Sequence, residues 1–335
     1  MPAPKVLTAS VSAVGVLAGA IALAAARSRP YAADARPPLP PPLPPGRTVL
    51  VPGRGEILVR ELPGPATRAR PTVLLLHGWM VTADTNFYPA YAPLGRIARV
   101  LSYDHRGHGH GLRPAHPFRL VDAADDAAAL LDVLGTGPVI VVGYSLGGAV
   151  AQLLWRRRPD LVAGLVLCAT SATYAHSFAY RSVWRGMGAL QLALRLLPRH
   201  LLERGLQAQA AGTIPRVFTR LVHPGTPPGV LEALPWITGE VDRRSPEDVA
   251  EAGRELGRHE ARDWIGEVDV PTAVLVTSAD RLVPPALQRD LAARIPGCRR
   301  IEVACDHDGP VGRAELFVPA VVEAIEALAG ECARP

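Results

Sequence analysis

Three residues able to act together on a carbonyl group stand at separated points of this 335-residue chain: Ser145 in Gly143-Tyr-Ser-Leu-Gly147, Asp280 in Thr277-Ser-Ala-Asp, and His307 in Cys305-Asp-His. A serine hydroxyl is nearly inert at neutral pH and becomes a nucleophile only beside a base. The base in turn needs a partner that fixes its tautomer and stabilises its charged form. Serine, then acid, then histidine is the chain order expected where the nucleophile lies in Gly-x-Ser-x-Gly. An acid placed just after the strand that follows the serine is excluded, because no Asp or Glu occurs between Asp160 and Glu203. Asp306 and Asp308 flank His307 directly, too close in the chain to reach its ring nitrogen, and receive no role.

For these side chains to meet, each must stand at the end of a strand. The apolar run at residues 138–142 breaks into the pentapeptide and then into a helical pattern at 149–158, the context of a nucleophile elbow. Gly143 and Gly147 are the structural residues of that elbow, removing side chains that would collide with neighbouring backbone. The turn aims the first helical amide, Leu146 N–H, at a developing negative charge. The run Leu74-Leu-Leu-His77-Gly78-Trp79 offers a second such donor, Trp79 N–H, with His77 as a structural hydrogen-bonding residue. Asp280 and His307 follow the last two predicted strands, at 272–277 and 299–304. In a parallel sheet those strand ends are where ligands meet loops. The segment Asp104-His-Arg106-Gly-His-Gly-His110-Gly reads as a rigid hydrogen-bonded loop rather than a metal site, since it has no Cys or Glu nearby.

Strand and helix patterns alternate from Arg47 onward, which predicts a mostly parallel sheet covered by helices on both faces. Residues 48–51 and 56–60 read as a hairpin, and 120–134 as a helix. The rhythm breaks over 175–265, where helical segments at 187–197 and 201–210, and a helix start at Ser245-Pro-Glu-Asp248, predict a helical cap over the site. The core is then 47–174 together with 266–335.

Before the core, residues 6–26 carry no charge and would make a helix about 31 Å long, enough to cross a hydrocarbon core. This is read as a membrane anchor, with a cleaved signal peptide as its rival. Residues 36–46 are proline-dense and predict a stiff polyproline spacer, holding the domain about 30 Å from the bilayer. The net charge of +5 belongs to scattered arginines with 5% aromatics, which argues against a nucleic-acid partner. The run Arg156-Arg157-Arg158 predicts a solvated last helical turn. Four cysteines are too few for a disulfide framework. Cys168 is expected buried, and Cys298 and Cys305 are separated by a strand and cannot pair.

Taken together, His77-Gly78, Asp104-x-Arg106-Gly107-x-Gly109, Gly143-Tyr-Ser145-Leu-Gly147-Gly148, Asp280 before Val283-Pro284, and a late His307 resemble the α/β-hydrolase superfamily, in its lipase, esterase and C–C hydrolase branch. The resemblance implies an α/β-hydrolase fold, with Ser145 as nucleophile, His307 as base and Asp280 as orienting acid. It implies no cofactor, and a small acyl substrate cleaved through an acyl-enzyme. Perhydrolase, thioesterase, lactonase, acyltransferase and C–C hydrolase chemistry on the same three residues, or a scaffold that binds without catalysis, are the alternatives. Two departures are evident: Gly107-His-Gly109 stands where a serine is common, and Asp306 precedes the histidine where many relatives have glycine.

Overall fold

The computed structural model describes residues 40–64, 71–175, 228–241 and 246–332. A hairpin of β1 (Gly46–Val51) and β2 (Gly55–Leu62) opens the fold. There follow β3 (Thr72–Leu76), α1 (Ala83–Gly95), β4 (Arg99–Tyr103), α2 (Leu120–Leu134), β5 (Val139–Tyr144), α3 (Leu146–Arg157) and β6 (Val162–Cys168). Helices α4 (Pro228–Val241) and α5 (Pro246–Leu256) lead to β7 (Thr272–Thr277), α6 (Pro285–Arg294), β8 (Arg299–Val303) and α7 (Ala314–Cys332). The eight strands form one sheet in the order β1-β2-β4-β3-β5-β6-β7-β8. Strand β2 pairs antiparallel with β1 and with β4, and every other pair is parallel. The mostly parallel sheet flanked by helices is therefore as the alternation predicts.

Alternation along each strand sends successive side chains to opposite faces. Leu74, Leu76 and Val141 pack beneath α2 and α3 with Leu130 and Leu154. Val73, Leu75 and Val142 point the other way, to Phe87 of α1 and Phe317 of α7. Burial on both faces explains why these strands read as continuous apolar runs. Register then lines up their C-terminal ends: Gly143 lies opposite Leu76 on one side and Leu167 on the other, and Thr277 opposite Val303. One edge of the sheet thus carries His77, Ser145, Asp280 and the loop to His307.

A buried ion pair fixes the loop between β4 and α2. The Arg106 guanidinium donates Nε to Asp126 Oδ2 at 2.6 Å and Nη2 to Oδ1 at 2.7 Å, with both side chains almost wholly buried. Arg54, from the hairpin turn, adds a third hydrogen bond to Asp126 at 2.6 Å. The arginine of the Asp-x-Arg-Gly motif is thus a tie between hairpin, loop and helix.

The structure departs from the sequence expectations at several points. Helix α1, over residues that the sequence patterns did not single out, contains Pro89 and Pro93, which disfavour a helix interior. It forms because Thr82 and Thr85 make a reciprocal capping box and because Phe87, Ala90, Tyr91 and Leu94 make one buried stripe. The arginines at 156–158 do form the solvated last turn of α3, and there they make surface ion pairs, Arg156 with Glu267, Arg157 with Asp125, and Arg158 with Asp132 and Asp160. All four cysteines are free thiols, with Cys168 and Cys305 buried. The segments at 6–26, 187–197 and 201–210, and Ser245, lie outside the described residues. Of the expected cap, α4 and α5 are described and are helical. No helix among the described residues is long and apolar enough to cross a membrane.

The last residues of the proline-rich stretch correct the spacer expectation. Pro44 is buried, its carbonyl accepts from Arg60 Nη1 at 3.2 Å, and the Pro45 carbonyl accepts from Glu61 N–H at 3.1 Å. Leu43 packs against the cluster formed by Val230, Trp236 and Ile237 of α4 with Val311. The spacer's end is therefore part of the domain. Leu43→Ala in the full chain is expected to lower the free energy of unfolding by about 1 kcal/mol, as for a half-buried leucine. A urea titration checks this, and an unchanged midpoint would mean that the linker contributes nothing to the fold.

Candidate active site

Ser145 joins β5 to α3 in a backbone conformation that few non-glycine residues adopt, φ +53° and ψ −115°. The turn is tight enough that its neighbours must be glycine. A Cβ on Gly143 would lie 2.5 Å from Gly147 O, and one on Gly147 would lie 2.0 Å from Leu76 O. Gly148 is equally constrained, since its Cβ would meet Thr170 Oγ1 at 2.4 Å. Both elbow glycines therefore stand where the sequence puts them, for the steric reason it suggests.

The serine backbone is clamped by groups that the sequence did not announce. Its N–H donates to Cys168 O at 2.9 Å, and its carbonyl accepts from Gly148 N–H at 2.9 Å and from Thr170 Oγ1 at 2.8 Å. The Tyr174 hydroxyl is 3.0 Å from the same carbonyl and 2.7 Å from Thr170 Oγ1. Satisfying that oxygen offsets the cost of the unusual dihedrals, which is about 1–3 kcal/mol.

Asp280 is buried at the end of β7 with both carboxylate oxygens occupied. Oδ1 accepts from Leu282 N–H and Val283 N–H, both at 2.8 Å. Oδ2 faces Thr277 Oγ1 at 2.7 Å, Gln288 Nε2 at 3.1 Å and His307 Nδ1 at 2.8 Å. A carboxylate only accepts, so this contact puts the imidazole hydrogen on Nδ1 and leaves Nε2 as an acceptor. Nε2 lies 3.0 Å from Ser145 Oγ. Serine, histidine and aspartate thus form one continuous hydrogen-bonded chain, which can remove the hydroxyl proton as the oxygen attacks an electrophile.

Asp306 is turned away from that chain. Its Oδ1 accepts from Arg281 N–H at 2.9 Å and from His307 N–H at 2.8 Å, and Oδ2 accepts from Arg281 Nε at 2.6 Å. Burial opposes its charge, but the two amides and the guanidinium hold the carboxyl below its ordinary pKa. The residue that replaces the expected glycine thus staples the histidine loop to the Asp280 loop.

The loop after β3 lies against the serine: a Cβ on Gly78 would be 3.4 Å from Ser145 Cβ. Asn86 Oδ1 of α1 accepts from Gly78 N–H at 2.9 Å. The Trp79 indole donates Nε1 to Val249 O of α5 at 2.8 Å, and its ring fills the space a Cβ on Gly253 would need. Leu146 is the first residue of α3, so its amide has no carbonyl partner within the helix. His77 accepts from His105 N–H at Nε2, 2.9 Å, while its Nδ1 is 2.8 Å from Gly78 O. Burial lowers its pKa, and it ties two loops. Asp104 accepts from Ala83 N–H at 2.7 Å and His110 N–H at 2.8 Å, so the Asp104–Gly111 segment is a hydrogen-bonded loop.

Known proteins resemble this chain in sequence and fold. The alpha/beta hydrolase fold profile matches residues 71–195. A pimeloyl-[acyl-carrier protein] methyl ester esterase from Neisseria meningitidis is 30% identical over 255 residues, covering 73% of this chain and 90% of the relative. The solved enol-lactonase from Burkholderia xenovorans is 25% identical with a TM-score of 0.67, covering 84% of this chain and all of that one. A thermophilic esterase from Thermogutta terrifontis superimposes with the same TM-score of 0.67 and 25% identity, over 87% of this chain. Fold, elbow and relatives agree: the chain belongs to the α/β-hydrolase family and is a hydrolase.

Proposed function

We propose that this protein cleaves a carboxylic ester of a small acyl compound, with Ser145 as nucleophile, His307 as base and Asp280 as the acid that orients it. The observation that carries the reading is the His307 imidazole, hydrogen-bonded to Asp280 at 2.8 Å through one nitrogen and 3.0 Å from Ser145 Oγ through the other. Oγ attacks the ester carbonyl as Nε2 takes its proton, and the negative charge formed on the carbonyl oxygen is met by Trp79 N–H and Leu146 N–H. Collapse of the tetrahedral intermediate expels the alcohol, which takes the proton from Nε2. Water, activated by the same imidazole, then releases the acid and restores the serine. The relatives named above act on a methyl ester and on an enol lactone, and a lactone, as a cyclic ester, is open to the same steps. The chain divides on this reading into an N-terminal segment, the linker, the hydrolase core and a cap over residues 175–265 that includes α4 and α5.

Residues 6–26 are proposed to anchor the protein in a membrane. An apolar anchor is not screened by ions, so the full chain is expected to stay with membranes through a high-salt wash. Recovery of a soluble form that starts near Arg27 or Arg36 would mean a cleaved signal peptide instead.

The two carboxylates beside the histidine provide the sharpest kinetic test. Asp280→Asn is expected to lower kcat on a p-nitrophenyl ester by about 10³- to 10⁴-fold, because the amide favours the wrong imidazole tautomer and cannot stabilise imidazolium. Asp306→Asn, which keeps one acceptor oxygen for the loop, is expected to lose about ten-fold or less. Steady-state kinetics of the two variants check this, and near-equal losses would mean that the acid is misassigned.

A further inference from the structure

The residue between the elbow glycine and the serine carries a second hydroxyl, which none of the chemistry above uses. Tyr144 is the last residue of β5, and its side chain is buried in the apolar layer that holds Val142, Cys168 and Phe317, on the sheet face opposite the α3 packing. Its hydroxyl donates to the main-chain carbonyl of His307. Its ring lies 5.3 Å from the imidazole, centroid to centroid, and stands edge-on to Phe317 of α7 at 6.0 Å. The same ring closes off the space at Gly78, where a Cβ would lie 2.9 Å from Tyr144 Cδ1. One side chain therefore touches the histidine loop and the oxyanion loop, and it belongs to the strand that delivers the nucleophile.

The anchors of the histidine loop show what that contact adds. Arg281 holds the loop from the Asp306 side, and Gly309 N–H donates to Asp306 O at 3.1 Å. These bonds, with the one from His307 N–H to Asp306 Oδ1, secure the amide side of His307 and leave its carbonyl side to Tyr144. Among the described residues, the Tyr144 hydroxyl is the donor at that oxygen. Burial, reinforced by the nearby Asp280 and Asp308 carboxylates, raises the phenol pKa well above its ordinary value, so the hydroxyl keeps its proton and remains a donor.

We infer that Tyr144 is a positioning residue, whose hydroxyl bond to the His307 carbonyl sets the imidazole at the height over Ser145 that proton transfer requires. The inference rests on the serine-hydrolase reading and deepens it. An imidazole displaced by a fraction of an ångström still binds Asp280 and leaves the other groups around Ser145 in place, so the loss falls on the chemical step and not on binding.

Tyr144→Phe removes one oxygen and keeps the packing. On a p-nitrophenyl ester the variant is expected to lose about ten-fold in kcat with KM within about two-fold, and to react about ten-fold more slowly with a fluorophosphonate, while its melting midpoint stays within about 3 °C. Tyr103→Phe is the control: that hydroxyl is buried without a hydrogen-bond partner among the described residues, and its removal is expected to leave kcat unchanged. Undiminished kcat in Tyr144→Phe, or a loss shared equally by KM, overturns the inference while wild-type activity leaves the serine-hydrolase reading standing. A wild-type chain that hydrolyses no ester removes both. Should the variant fail to fold, hydrogen exchange of the Tyr144 phenolic proton in the wild-type protein decides. A slowly exchanging proton with a cross-relaxation peak to the His307 loop supports the bond, and exchange at the rate of free tyrosine overturns it.

Discussion

A serine held at φ +53° between a buried strand and a helix is the constraint around which this molecule is arranged. That conformation brings the backbone of the elbow so close to β3 that a Cβ on Gly147 would lie 2.0 Å from Leu76 O, and it leaves Gly143 no room for a side chain against Gly147. The flanking glycines permit such a turn but do not by themselves stabilise it. It persists because the sheet on one side and α3 on the other are fixed by two apolar layers, and because the serine carbonyl is satisfied by Gly148, Thr170 and Tyr174. The strain is thus offset by tertiary structure, and it leaves the hydroxyl exposed to the neighbouring loops with its amide hydrogen-bonded to β6.

The other two groups are delivered by the same device in a less strained form. Strands β7 and β8 end in register, Thr277 opposite Val303, so the loops that follow them rise side by side. Ala279 N–H donates to Cys305 O at 3.0 Å and Ser278 N–H to Val303 O at 2.9 Å, which carries the pairing past the strand ends. Asp280 is then immobilised by two backbone amides, a threonine and a glutamine, and His307 has one ring nitrogen against a carboxylate that cannot turn. Preorganisation of this kind is what allows a weak base to act on a weak acid at a defined distance.

How far the sequence discloses this depends on whether a feature is local. The strands and the elbow are local: continuous apolar runs, two glycines flanking a serine, and aspartate and histidine directly after strands all lie within a few residues of what they specify. The reading of Asp280 over Asp306 is of this kind, and so is the hairpin. What escaped was set by distant partners. Helix α1 is disguised by its two prolines and stabilised by a stripe that meets the sheet. Gln288 reaches Asp280 from one turn into α6, and Thr170 and Tyr174 reach Ser145 from the segment after β6. Neither spacing has a sequence signature. Leu43 read as part of a free spacer because proline-rich sequence announces stiffness and says nothing of where it docks. The loop after β3 has a similar hidden dependence, since Trp79 is held from α5, about 170 residues further along the chain.

Whether Ser145 carries the activated hydroxyl decides the proposed chemistry. Treatment of the full chain with a fluorophosphonate probe, followed by peptide mass spectrometry, reads this directly, because only a serine paired with a base attacks phosphorus at a useful rate. One equivalent of label on the peptide carrying Ser145, abolished in Ser145→Ala with an unchanged melting midpoint, is the expected result. Label on another residue, persistent labelling of Ser145→Ala, or no labelling of the folded wild-type protein would contradict it.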